Sequence, residues 1–244
     1  MVIDLKKYYV FKIDLVVLNI VSTILLVLCF LITGLVFPNT VKSMFILFSD
    51  AKNLLLLLPY MMFYFILHEL LHALGYITFG ANPKKLTFGM ELEKSVFYCL
   101  CKEDITKKNI LFSLMYPLFF IGIVTYIISI IFNLPMLLLL SIGNICGAIG
   151  DIIYFIFIIR LDKDVMFSEM DDGTSFALLS KEDLSKYKPF GLKYVGIEKE
   201  ISRKNFKRVY ISKLSYGVLI FSFVLLVLAL FVFVKEKKIS LNIS

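Results

Sequence analysis

Long apolar blocks alternate with short charged connections along the chain. Five blocks, at 13–36, 54–79, 110–132, 136–159 and 211–234, approach or exceed the about 17–25 residues that cross a bilayer as a helix. The pattern predicts an all-α integral membrane protein with about five transmembrane helices, built as a single multi-pass membrane domain over 1–244. The first block follows a basic start (Lys6, Lys7, Lys12), as a signal peptide would. It is too long for one, and no small-residue cleavage site follows, so it reads as an uncleaved first helix.

Two connections carry patterns of their own. In LTFGMELEKSVFYCLC, residues 86–101, the positions Leu86, Phe88, Met90 and Leu92, then Val96, Tyr98 and Leu100, alternate with a period of two. Glu93–Lys94–Ser95 lies between the two runs, so this stretch predicts a small β-hairpin at the membrane surface. The loop 160–210 is the one sizeable polar segment, too short for much of a core of its own. Within it, Ser180–Lys181–Glu182–Asp183 reads as the capped start of a helix.

Composition narrows the class. Hydrophobic residues make up 59% of the chain and charged ones 18%, which excludes an ordinary soluble domain. The net charge of +7 reads as topology signal and contact with anionic lipid. The first loop (37–53) holds only Lys42 and Lys52. The second (80–109) holds Lys84, Lys85, Lys94, Lys102, Lys107 and Lys108, and 160–210 holds eleven Lys and Arg. The positive-inside rule then places the amino terminus, the second loop and the fourth loop in the cytoplasm, in a cell membrane. No basic motif is interleaved with aromatics, so nucleic acid is not an expected partner; the bilayer is. Cys29 and Cys146 fall inside predicted spans, and Cys99 and Cys101 alternate on one short stretch, so the four cysteines make no disulfide framework.

The chemistry sits in the second span, in FYFILHELLHALGY (63–76). The chain has two histidines, His68 and His72, and Glu69 directly follows the first. On a helix, residues four apart share a face, so both imidazoles can converge on one metal ion. Glu69 points off to the side of the pair, where a carboxylate can reach an attacking water without binding the metal. By simple counting, two histidines placed at random in this chain give H-E-x-x-H about once in 3,000 arrangements. Ionisable side chains within a bilayer are costly and mark function by default. Away from the span ends only His68, Glu69, His72 and Asp151 are ionisable. A buried polar cluster without metal, and a site that binds zinc but no longer hydrolyses, are the competing readings.

Two histidines leave a tetrahedral site in want of a third protein ligand. Asp151, in SIGNICGAIGDIIYFI, is the candidate by depth. The histidines lie roughly 12 Å from the inner end of their span and Asp151 roughly 13 Å from the inner end of its own, at helical rise. Gly143 and Gly147 form a G-x-x-x-G face suited to close helix packing. Asn144, seven residues before Asp151, suits either an interhelical hydrogen bond or a hold on a substrate backbone. Tyr116–Pro117 predicts a kink in the third span.

Together, HELLH, a surface hairpin, a span with Tyr–Pro, and Asn144 followed by Gly150–Asp151 two spans later resemble the site-2 protease type of intramembrane metalloprotease. The likeness is nearest to the small multi-pass bacterial zincin peptidases related to that type, and covers roughly 54–160. It implies zinc held by His68, His72 and Asp151, with Glu69 as base. The family's N-x-x-P and L-D-G segments are incomplete here: no proline follows Asn144, and Ile152 follows Asp151. The reading is a membrane-embedded zinc endopeptidase acting on membrane-spanning or membrane-proximal polypeptides. Its alternative is a non-enzymatic membrane accessory protein with a structural or degenerate metal site, which has no need of Glu69.

Overall fold

The computed structural model describes residues 7–91, 96–170 and 174–201. Four helical stretches in it are long and apolar enough to cross a membrane: Leu15–Val36, Ala51–Thr78, Lys107–Ile131 and Pro135–Ile158. They match four of the five expected spans to within a few residues. The fifth, 211–234, lies outside the described residues.

Local chemistry explains where the helices begin and bend. Helix α1 (Leu15–Val36) starts at Asp14, whose carboxylate accepts the Val16 N–H at 3.1 Å. A short helix not expected from the sequence, α2 (Pro38–Phe48), follows at once, with proline at its first position. Helix α3 (Ala51–Thr78) is capped by Asp50 in the same manner as α1. The third span has three parts: α4 (Lys107–Pro117), a π-helical stretch Leu118–Val124, and α5 (Thr125–Ile131). The fourth is α6 (Pro135–Gly147) and α7 (Ile149–Ile158), separated by a kink at Ala148 (φ −75°, ψ 7°). The Lys107 ammonium donates to the carbonyls of Ile159 and Leu161, just past the end of α7. Outward faces carry exposed Leu31, Leu35, Leu55 and Leu58, as lipid contact requires.

The expectation of an all-α fold with only a small hairpin is overturned by a five-stranded antiparallel sheet. Its strands are β1 (Lys7–Ile13), β4 (Ile105–Thr106), β5 (Met166–Glu169), β6 (Ser175–Ser180) and β7 (Leu192–Glu198), in the order β4-β5-β6-β1-β7. Lys7–Ile13, from the basic start of the chain, is therefore an inner strand between β6 and β7. Tyr9, Phe11 and Ile13 alternate into the core, with Phe11 paired to Phe176 of β6 and Tyr194 of β7. The described part of the polar segment, 160–170 and 174–201, needs no core of its own. Phe11, Phe176, Leu178 and Leu184 pack with Phe157 and Ile158 of α7 and with Ile110 and Leu114 of α4. Phe11 meets Phe157 edge-on at 4.9 Å between ring centroids. Ser180 does cap a turn, its hydroxyl accepting the Glu182 N–H, but no helix follows.

A second sheet is the hairpin of β2 (Leu86–Glu91) and β3 (Val96–Cys101), in register from Leu86↔Cys101 to Glu91↔Val96. Its turn, 92–95, lies outside the described residues. Among the described residues, the close helix approach expected at Gly143 and Gly147 is not there: a Cβ on either would meet nothing within 4 Å. The tight contact is at Gly75 of α3, where a Cβ would come within 2.6 Å of the Ser113 backbone on α4. Gly75 thus lets α3 lie close against α4.

Candidate metal centre

Helix α3 carries His68, Glu69 and His72, and its pairing with α4 through Gly75 and Ser113 brings these residues against the third span. The kink at Ala148 restarts the fourth span, so that Asp151 lies in the first turn of α7, where the helix dipole favours a carboxylate. The three predicted ligands converge. His68 Nε2 and His72 Nε2 are 3.1 Å apart, and Asp151 Oδ2 is 3.3 Å from the first and 3.5 Å from the second. The side chains are 16%, 11% and 17% exposed, so the cluster is largely closed but still reachable.

Hydrogen bonds on the far side of each ring set which nitrogen faces the cluster. His72 Nδ1–H donates to the Ser113 carbonyl at 2.9 Å, and His68 Nδ1–H donates to Asn144 Oδ1 at 2.8 Å. Asn144 Nδ2–H donates to the Pro117 carbonyl at 3.1 Å, which settles the orientation of the amide. With protons on both Nδ1 atoms, each Nε2 presents a lone pair. Two lone pairs and a carboxylate oxygen then face one another in apolar surroundings, an arrangement that a cation stabilises.

The spacing fits zinc. Tetrahedral zinc with bonds of about 2.0–2.1 Å sets its ligand atoms about 3.3–3.4 Å apart. The three observed separations bracket that value. Glu69 is beside the pair as well: ligand atoms of His68, Glu69 and His72 all lie within 4.8 Å of one another. Asp151 Oδ2 and the Glu69 carboxylate thus both lie beside the two imidazoles. The Cys99 backbone of β3 hydrogen-bonds the Glu69 carboxylate, and Phe97 stacks on Phe65 of α3 with ring centroids 5.8 Å apart. The hairpin thus borders the site on the side of Glu69.

Further polar residues surround the site. Tyr76, one turn after His72, donates its hydroxyl to Glu169 of β5 at 2.8 Å. Glu169 also accepts the Cys101 N–H of β3. Burial raises the Glu169 carboxyl to about 7, against the lowering effect of these two donors. This carboxylate joins the five-stranded sheet to both the metal helix and the hairpin. Tyr76 had a readable signal, since it continues the i, i+4 spacing from His68 and His72. Glu169 had none among the other acids of a polar loop, and Ser113 acts through its main-chain carbonyl, which carries no sequence mark. Cys99 and Cys101 are buried on β3 and stand outside the ligand set.

The sequence profile of a family described as "Putative zincin peptidase" matches residues 61–166. The matched stretch contains His68, Glu69, His72, Asn144 and Asp151. The likeness is to a zincin-like metallopeptidase. Zinc is the metal that such a family implies, in agreement with the donor spacing. No curated protein and no solved structure matches the chain.

Proposed function

We propose that this protein is a membrane-embedded zinc endopeptidase, related to the site-2 protease type, that cuts membrane-spanning or membrane-proximal polypeptides. The observation that carries the reading is the set of three donors 3.1–3.5 Å apart on spanning helices, with a fourth acidic group beside them that is not needed as a ligand. Zinc bound there would polarise a scissile carbonyl and lower the pKa of a water. The chain's own residues do the rest. His68, His72 and Asp151 hold the metal, and Asn144 and the Ser113 carbonyl orient the rings. Glu69, steadied by the Cys99 N–H, takes the proton of the attacking water and passes it to the leaving amine.

The hairpin supports a polypeptide substrate. An extended peptide that adds as a strand has its backbone satisfied where water is scarce. The outward N–H groups of β3 at Cys99 and Cys101 serve Glu69 and Glu169, and β2 pairs with no further strand among the described residues. A substrate would pair along β2 and enter the site beyond its paired stretch.

The test is Glu69→Gln in cells, which keeps side-chain size and all three ligands. General acid–base help of this kind contributes typically ~10²–10⁴-fold, so hydrolysis should all but stop. Comparison of membrane proteomes should show at least one membrane polypeptide uncut in the variant strain. If Glu69→Gln complements every phenotype of a deletion strain, the accessory-protein reading replaces this one.

A further inference from the structure

Both histidine orienters trace back to one residue of the third span. In an α-helix the carbonyl of Ser113 takes its hydrogen bond from the N–H four residues on. That residue is Pro117, which has no N–H. The next donor along, the Leu118 N–H, goes to the Met115 carbonyl instead. The Ser113 carbonyl is thereby left for His72 Nδ1–H, in a buried contact that Ser113 reciprocates by donating its hydroxyl to the His72 carbonyl at 2.8 Å. The carbonyl of Pro117 itself accepts from Asn144 Nδ2–H, which turns Asn144 Oδ1 towards His68 Nδ1–H.

We propose that Pro117 is the positioning residue of the metal centre: its missing N–H sets the ring of His72, and its carbonyl, through Asn144, sets the ring of His68. Position 117 thus bears on both rings, on His72 through the N–H that proline lacks and on His68 through a main-chain carbonyl. The proposal rests on the metal-site reading and is independent of whether the site hydrolyses peptides. Alanine at 117 restores an N–H that competes with His72 for the Ser113 carbonyl. In apolar surroundings an imidazole N–H without an acceptor is costly, so His72 would turn or carry its proton on Nε2, against the metal.

The experiment measures zinc affinity of the full chain in detergent by competition with a chelator. It compares wild type, Pro117→Ala and Pro59→Ala. Pro59 is also inside a spanning helix, α3, but makes none of these contacts. Pro117→Ala should bind zinc ~10–100-fold more weakly, the usual loss when a ligand's orienting partner is removed. Pro59→Ala should stay within a few-fold of wild type. Unchanged affinity in Pro117→Ala, or an equal loss in both variants, overturns the proposal. A wild type without zinc affinity overturns the site reading beneath it, a distinct result.

If Pro117→Ala does not fold, the zinc-loaded wild type decides alone. With only two histidines, a ¹⁵N-imidazole spectrum resolves both rings. Each should be coordinated through Nε2 and protonated on Nδ1; coordination through Nδ1 in either ring overturns the proposal.

Discussion

At the scale of single residues, the candidate ligands stood out in the sequence because their signal is local. His68 and His72 are the chain's two histidines at helical spacing, and Asp151 is an acid within an apolar block. The residues that orient them act through backbone carbonyls and contacts across spans, so spacing gives no hint of Ser113. Asn144 is the instructive case. The sequence leaves it between an interhelical bond and a hold on substrate, while its two polar atoms face His68 and Pro117. Asn144→Leu should therefore weaken zinc binding ~10–100-fold. Chelator competition measures this directly. Unchanged zinc affinity with a raised KM would return Asn144 to the substrate.

At the scale of elements, length and apolarity located the spans, because a helix satisfies its own backbone and needs no distant partner. The hairpin was readable for a similar reason, since its two strands are neighbours in sequence. The five-stranded sheet was not. Its strands are two to seven residues long, and β1 pairs with β6 and β7 across all four described spans. A basic segment such as Lys7–Ile13 reads as the flank of a span until its partners are known. The sheet bears on the site through Glu169, and this joint makes a pH prediction. In the folded protein the Glu169 carboxyl keeps its proton up to about 7, whereas unfolded it loses it near the ordinary 4.5. The folded state binds more protons in that interval, so this group's contribution to stability is greatest below about 4.5 and is lost as pH rises to about 7. Melting temperature of the zinc-free protein should fall between pH 5 and 7.5 more steeply in wild type than in Glu169→Gln, which is neutral throughout. Parallel curves would show that Glu169 is ionised in the fold.

At the scale of the whole molecule, the sheet ties three connections to one side. β1 comes from the amino-terminal segment, β4 from the second loop, and β5 to β7 from the fourth. The lysine distribution argues that this side is cytoplasmic. Lys186, 66% exposed and beyond β6, is a suitable reporter. An impermeant thiol reagent should leave Lys186→Cys unlabelled in intact cells and label it after the membrane is opened. Labelling from outside would invert the orientation. We propose that spanning helices bring His68, His72 and Asp151 together to hold zinc, with Glu69 beside the metal and not bound to it. Zinc stoichiometry of the purified chain tests it most directly. One zinc per chain is expected in wild type and in Glu69→Gln, and none retained by His72→Ala or Asp151→Ala through the same purification. Zinc lost with Glu69→Gln but kept by Asp151→Ala would contradict it.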